Sequence, residues 1–207
     1  MKKMEDTITI RQFKPEDKEA VRQVCLETSS FPLEKKGMKD FLLLMYNDYY
    51  TEVEPDCCFV AEDENGTVIG YLLCAKKFDE YEKIFKGLYL PEIKKLGFQY
   101  YIMAMTEILT HKSFSRKYPA HLHIDLTAAC RRKGVGTRLM NALKAYLKEN
   151  GTDSLMLSCG ASNTAAIRFY EKNGFESICL TPGGKIMACK FSCINHLFQR
   201  NTMNKRS

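Results

Sequence analysis

The sequence lacks several features that would define its class at once. No apolar run approaches the ~20 residues of a membrane-spanning helix, and the first six residues carry no apolar segment typical of a signal peptide. There is no Cys-x-x-Cys pair and no His/Cys cluster at zinc-binding spacing, so a metal site is not predicted. Internal repeats and low-complexity linkers are absent too. We therefore expect a globular protein without a membrane partner.

The nine cysteines are scattered and mostly have apolar neighbours, which predicts free buried thiols. Such thiols persist in a reducing compartment, so we expect a cytoplasmic location. The formal net charge of +6 is moderate and dispersed, and no motif that reads DNA or RNA accompanies it. Nucleic acid is therefore not an expected partner, although a basic balance helps to attract small anions.

The composition of 45% hydrophobic and 27% charged residues is typical of a globular domain. We expect one domain over residues 1–195 and a basic tail over residues 196–207. Strand and helix patterns alternate along it. Residues 120–126 read as a central strand and residues 135–147 as a helix, while Asn65-Gly66 predicts a type I′ hairpin. This order indicates an α/β fold with antiparallel pairs flanking a central parallel junction.

Residues 78–117 form an unusually long connection between two predicted strands. Their apolar spacing predicts two helical segments around Pro91. Such a helical insertion either adds packing or caps a substrate pocket, because added segments on a rigid scaffold often carry specificity.

The turn from Arg131 to Thr137 joins the central strand to the following helix. Gly134 and Gly136 let the backbone approach a ligand closely, and the first N–H groups of a helix attract anions. Arg131, Arg132 and Lys133 add positive charge nearby. The turn predicts a phosphate or pyrophosphate site, although taken alone it also fits an ordinary strand-to-helix turn. It matches neither the Walker loop nor the dinucleotide-binding fingerprint.

Two motifs together resemble the GCN5-related N-acetyltransferase (GNAT) family. The turn fits the family's Arg/Gln-x-x-Gly-x-Gly/Ala loop. A second block resembles Asn-x-x-Ala-x-x-Phe-Tyr-x-x-x-Gly-Phe through Asn163, Ala166, Phe169, Tyr170, Glu171, Lys172, Gly174 and Phe175. The stretch 118–125 looks closest to the acetyltransferase-like domain of O-GlcNAc hydrolases and its free-standing bacterial relatives. The resemblance implies a GNAT fold: a mixed central sheet of about seven strands, a splayed parallel junction and flanking helices.

The resemblance also implies a binding site for acetyl-CoA as cosubstrate. The backbone N–H groups of Gly134, Val135, Gly136 and Thr137 would cradle the pyrophosphate, with charge from Arg131, Arg132 and Lys133. Backbone groups near Leu126 would pair with the pantetheine arm. Asn163 would lie near the sulfur or act only as a helix cap. Tyr170 would protonate the departing thiolate or be only a packed, half-buried ring.

The catalytic base is read from the central strand. His121, His123 and Asp125 have a period of two, so they share one face of the strand. Asp125 is nearest the end where the thioester would lie and is the preferred base or amine-binding group, with His123 second. A structural network beneath the insertion is the alternative explanation of this polar face.

These residues predict an N-acetyltransferase that moves the acetyl group of acetyl-CoA to a primary amine by direct attack in a ternary complex. One alternative is a non-catalytic acetyl-CoA-binding sensor or interaction module. Another, a nucleotide-binding regulator, lacks a triphosphate motif. The pattern identifies neither the amine acceptor nor the choice between a monomer and a homodimer.

Overall fold

The computed structural model describes residues 8–130, 133–182 and 184–191. Seven strands form one sheet in the order β1-β2-β3-β4-β5-β7-β6. They are β1 Thr9–Gln12, β2 Phe59–Glu62, β3 Val68–Ala75, β4 Ala120–Leu126, β5 Ser154–Cys159, β6 Glu176–Thr181 and β7 Gly184–Lys190. Only β4 and β5 pair in parallel, and the other neighbours pair antiparallel. The predicted α/β fold with a mixed sheet is confirmed.

Helices cover both faces of the sheet. The α-helices are α1 Lys18–Thr28, α2 Met38–Leu43, α3 Tyr49–Val53, α4 Phe78–Leu96, α5 Phe98–Lys112, α6 Val135–Glu149 and α7 Thr164–Lys172. All eight residues of β3 are buried, because alternate side chains enter the two opposite cores. Tyr71 and Leu73 join an aromatic-rich core beneath α1–α5, whereas Leu72 and Cys74 join a core beneath α6.

The parallel junction is splayed. β4 and β5 pair only through Ala120 opposite Leu155 and His121 opposite Met156. Beyond these residues the strands diverge, while β4 stays paired with β3 as far as Leu126 and β5 stays paired with β7 as far as Cys159. A wedge therefore opens in the middle of the sheet, at the carboxyl ends of both strands. Backbone groups that line it need other hydrogen-bond partners.

The insertion contains two helices, but the predicted break at Pro91 is wrong. Helix α4 runs through Pro91 to Leu96, and the chain turns at Gly97, which has φ 148° and ψ 151°. Only glycine adopts that conformation readily. Pro91 is tolerated because buried Leu90 and Ile93 hold the helix against the core.

The hairpin between β2 and β3 also differs from its prediction. The N–H of Gly66 donates to the carbonyl of Asp63 at 3.1 Å, so Glu64 and Asn65 are the central turn residues. Gly66 follows them with φ 79°, and the Asp63 carboxylate accepts from the N–H groups of Asn65 and Thr67. A three-residue loop with glycine at its last position replaces the type I′ turn, because the Asp63 side chain stabilises the longer loop.

A π-helical segment, Leu44–Asp48, joins α2 to α3 and interrupts the regular helical repeat. The apolar face that runs from α2 through this segment into α3 is buried, including Phe41, Met45 and Tyr49. The wider turn redirects Tyr46 and Tyr50 towards β4, and such segments are frequent at functional sites. Over the described residues, every helix is too short or too polar to span a bilayer.

Candidate active site

The wedge between β4 and β5 opens on three adjoining cavities. The first, of about 380 Å³, lies between β4 and α7, and Asp125 and Tyr170 line it. The second, of about 300 Å³, shares those two residues and also reaches His123 and Asn163. The third, of about 440 Å³, shares His123 with the second and extends beneath α5. The cavities therefore follow one another through the splayed junction from α7 to the insertion.

The amino terminus of α6 stands beside the first cavity. Gly134 caps the helix with φ 70°, and the first helical hydrogen bond runs from Arg138 N to Gly134 O at 3.1 Å. Within the described residues, no hydrogen bond uses the N–H groups of Val135, Gly136 or Thr137. These are the donors that an anion would accept from. Arg131 and Arg132 lie outside the described residues.

The residues of this turn play different parts. The Val135 side chain is buried in the core under α6, while Lys133 and Thr137 are exposed. A Cβ atom on Gly136 would lie 2.9 Å from the ring of Phe169 and 3.1 Å from Leu126. Gly136 therefore lets α6 approach α7 and the end of β4, which brings the open N–H groups close to the wedge. A Cβ on Gly134 would meet nothing within 4 Å, so the space above it is open.

Asn163 and Tyr170 lie at opposite ends of α7. The predicted helix cap is present, since Asn163 Oδ1 accepts from Ala166 N at 3.1 Å, and the exposed Asn163 still has its amide N–H groups available to the second cavity. The Tyr170 ring packs between Phe169 and Phe175 and is 8% exposed. Its hydroxyl makes no hydrogen bond to the described residues. Burial, with Cys159 and Asp125 nearby, raises the Tyr170 pKa, so the hydroxyl stays protonated at neutral pH.

Asp125 faces the first and second cavities from β4. Tyr71, directly opposite it on β3, donates its hydroxyl proton to Asp125 Oδ2. Burial raises the pKa of Asp125, and hydrogen bonds from Tyr71 and Thr28 act in the opposite direction. A carboxylate with a raised pKa is a stronger base than an ordinary one and is suited to accept a proton from an amine.

His121 and His123 share one hydroxyl partner. Nε2 of each ring lies 2.9 Å from the hydroxyl of Tyr50, which comes from the helix after the π segment. Burial lowers the pKa of His123 to about 3. Burial and the neighbouring histidines lower the His121 pKa well below its usual range. Both rings are therefore neutral at neutral pH.

The tautomers follow from hydrogen-bond counting. Tyr50 has one proton, so it donates to one imidazole and accepts from the other. His121 is 1% exposed, and its Nδ1 has no hydrogen-bond partner. Because an unpaired buried N–H is rarer than an unpaired acceptor, His121 carries its proton on Nε2 and donates it to Tyr50. Tyr50 then donates to His123, which presents Nδ1–H to the cavities as a donor.

The structure brings Asp125, His123, Asn163 and Tyr170 around the second cavity and places Leu126 on the first. Sequence reasoning missed Tyr50 and Tyr71, and also Ser158, Cys159 and Glu107 of the third cavity. The sequence does contain a signal that could have identified Tyr71. Tyr71 and Leu73 are two residues apart and so share one face of β3, and in the sheet this is the same side as the polar face of β4. The described residues contain no group of three or more His, Cys, Asp or Glu side chains able to hold a metal ion.

Comparison with known proteins adds a family to this geometry. The profile described as "Acetyltransferase (GNAT) family" matches residues 19–175. The protein SsHAT superposes with a TM-score of 0.80 at 24% identity, over 90% of this chain and 99% of that one. A Drosophila melanogaster polyamine N-acetyltransferase superposes with a TM-score of 0.62 at 18% sequence identity, over 89% of this chain and 100% of that one. PaiA N-acetyltransferase from Thermoplasma acidophilum, in complex with coenzyme A, superposes with a TM-score of 0.56 at 17% identity, over 89% of this chain and 99% of that one. These structural likenesses describe the fold.

Proposed function

The chain belongs to the acetyltransferase (GNAT) family, and we propose that it transfers the acetyl group of acetyl-CoA directly to a primary amine. One observation carries this proposal. The splayed β4–β5 junction lies between the open amino terminus of α6 and a cavity that holds a carboxylate and a phenol. A long anionic thioester and a small amine can meet there without a covalent enzyme intermediate.

Acetyl-CoA would enter along the first cavity. The N–H groups of Val135, Gly136 and Thr137 would hold the pyrophosphate, with added charge from Arg131, Arg132 and Lys133. The pantetheine amides would pair with the backbone of β4 near Leu126, where β5 has diverged. Backbone N–H groups of the same segment would stabilise the oxyanion that forms on the thioester carbonyl.

Asp125 is the base in this proposal. The bound ammonium group gives a proton to Asp125, directly or through water, and Asp125 later returns it to solvent. The neutral nitrogen attacks the thioester carbon, a C–N bond forms, and the carbonyl oxygen becomes the oxyanion. His123 presents its Nδ1–H donor to the cavities rather than a lone pair. Its proposed role is therefore to orient a water molecule or an oxygen atom of the bound amine substrate. This assignment keeps Asp125 ahead of His123.

Tyr170 closes the proton balance. When the C–S bond breaks, the Tyr170 hydroxyl donates to sulfur, and one of the two protons on the attacking nitrogen passes to the Tyr170 oxygen, which leaves the amide N–H. A thiol has an ordinary pKa of about 8.5, below that of a phenol, so transfer to an already free thiolate would run uphill. Proton donation therefore accompanies C–S cleavage. Asn163 would hold the cosubstrate near its sulfur through its amide N–H groups.

The first experiment combines acetyl-CoA with a panel of primary amines and follows thiol release together with the mass of each acceptor. Acetylation of at least one amine at a rate that saturates with both substrates is the expected result. Acetyl-CoA binding without thiol release for any acceptor would instead support the sensor function. The closer resemblance to the acetyltransferase-like domain of O-GlcNAc hydrolases rests on residues 118–125 and stays a prediction.

A further inference from the structure

The third cavity contains a carboxylate, and among the described residues no lysine or arginine forms an ion pair with it. Glu107 of α5 lines this cavity and is 24% exposed. Its one ion-pair neighbour is His111, with Nε2 3.5 Å from Oε1, which is long for a hydrogen bond. Nε2 of His111 lies closer to Ser158 Oγ, at 3.0 Å. Burial lowers the His111 pKa, so this ring is neutral and leaves the charge of Glu107 uncompensated.

Other carboxylates of the described chain show the contrast. Asp17 and Glu62 pair with Arg11, and Glu82 pairs with Lys86 and Lys112. These acids are neutralised within the fold. Glu107 points instead into a cavity where a ligand can reach it.

The lining of the second and third cavities favours positive charge. Among the described residues, each of these two cavities has one acidic side chain, Asp125 in the second and Glu107 in the third, and neither is lined by a lysine or arginine. Hydroxyl groups also line the third cavity, and their oxygen lone pairs can accept hydrogen bonds from an ammonium ion; they belong to Ser30, Thr106, Thr110, Ser158 and Thr181. The rings of Phe31 and Tyr46 add faces that attract cations.

We infer that the acceptor is a molecule with two separated amino groups, one delivered to Asp125 and the other bound as an ammonium ion by Glu107. The inference rests on the proposed acetyl transfer and narrows its acceptor. His123 lines both the second and the third cavity and so lies between the two carboxylates. The second ammonium group anchors the acceptor at the insertion while the first reaches the thioester. Acceptors with a carboxylate or phosphate at that end are disfavoured by repulsion.

The test uses linear α,ω-diamines, from diaminopropane to diaminohexane, each beside the monoamine of equal length, with acetyl-CoA as donor. A diamine of suitable length should show kcat/KM at least ~10-fold above its monoamine, which corresponds to ~1.4 kcal/mol. In Glu107→Gln this preference should vanish through a rise in KM for the diamine, so that the diamine and the monoamine of equal length have similar kcat/KM values. Glu92→Gln is the matched control, because Glu92 pairs with Lys95 on the exposed side of α4.

Three results separate the inference from the function beneath it. Equal use of diamines and monoamines, or a diamine preference that survives in Glu107→Gln, would overturn the cation site while acetyl transfer stands. If no amine is acetylated, calorimetry of a diamine with acetyl-CoA-loaded protein decides. Glu107-dependent binding would support the cation site and remove the proposed transfer, and an absence of binding would overturn the cation site as well.

Discussion

The Tyr71 hydroxyl donates a hydrogen bond to the Asp125 carboxylate from the directly opposite position on the neighbouring strand. The pair ties the proposed base to the rigid β3–β4 ladder rather than to a loop. It also sets the basicity of the carboxylate, because hydrogen bonding to the charged form lowers a pKa whereas burial raises it. Removing the donor therefore changes the pH at which Asp125 takes up a proton.

Tyr71→Phe should move the acid limb of the kcat/KM profile to higher pH. The Asp125 pKa rises when Tyr71 no longer stabilises the carboxylate, so a higher pH is needed to keep the base unprotonated. Asp125→Asn should remove this limb and lower kcat by roughly 10²–10⁴-fold. Both profiles are measured with one amine at fixed acetyl-CoA. An unshifted limb in Tyr71→Phe together with near-normal turnover in Asp125→Asn would assign the base elsewhere.

Tyr170→Phe keeps the ring between Phe169 and Phe175 and removes only the hydroxyl proton. Turnover should fall by roughly 10²–10⁴-fold, while acetyl-CoA affinity changes little. Tyr118→Phe is the control. Tyr118 is similarly buried, but it lies just before the amino end of β4, whereas the cavities open at the carboxyl end. Steady-state rates with calorimetric affinities decide the matter. If Tyr170→Phe is as active as Tyr118→Phe, then water rather than Tyr170 protonates the thiolate.

Gly134→Leu should weaken acetyl-CoA binding at least tenfold, ~1.4 kcal/mol, by filling the open space at the amino terminus of α6. Gly151→Leu is a matched control, since it lies just beyond the other end of the same helix with φ 76° and nothing within 4 Å. Both substitutions carry a similar left-handed backbone cost of about 1–2 kcal/mol. Calorimetry on the two folded variants measures the difference. Equal affinities would exclude the α6 terminus as the pyrophosphate site.

The buried histidines should make the fold sensitive to mild acid. Burial lowers the pKa values of His111, His121 and His123, so the unfolded chain binds more protons than the folded one below the ordinary pKa of about 6.5. Stability is therefore complete above that pH and falls as the pH drops, by at most about 1.4 kcal/mol per histidine for each pH unit. Three carboxylates oppose the trend, because burial raises the pKa of Asp48 to about 6 and also raises the pKa values of Asp125 and Glu54.

Urea unfolding of Asp48→Asn between about pH 7.5 and pH 5.5 measures the histidine contribution without the opposing effect of Asp48. The free energy of unfolding should decrease steadily across this interval. A constant value would mean that the imidazoles ionise inside the folded protein, and the assigned Tyr50 hydrogen bonds would then need revision.

Much of this architecture could be predicted because its signals are local. The bounds of β4 agree with the strand predicted over residues 120–126, and the cap at Gly134 follows from the predicted turn. The prediction of a break at Pro91 was wrong for an energetic reason. A proline inside a helix costs a few kcal/mol, which is less than the free energy gained by burying the aromatic face of α4 around it. Local propensity does not report how tightly a helix packs.

The polar partners of the site could not be read from the chain. Tyr50 is 71 residues from His121, and its direction depends on a π-helical turn that the 3.6-residue pattern does not reveal. Glu107 lies on a helix that also carries the polar residues Thr106 and Thr110, and only the packing of α5 over the third cavity distinguishes it from a solvated acid. Tertiary placement, rather than residue type, makes these groups functional.

The two-residue pairing of β4 with β5 also affects the local stability of the sheet between catalytic cycles. It is the one ladder in the described sheet that connects strands β1–β4 with strands β5–β7. A ligand bound in the wedge would contact both parts of the sheet and hold them together. At 100 times its Kd, such a ligand adds about 2.7 kcal/mol to the free energy needed to separate β4 from β5. We therefore expect protease resistance and amide-exchange protection of β5–β7 to rise and fall with the supply of acetyl-CoA.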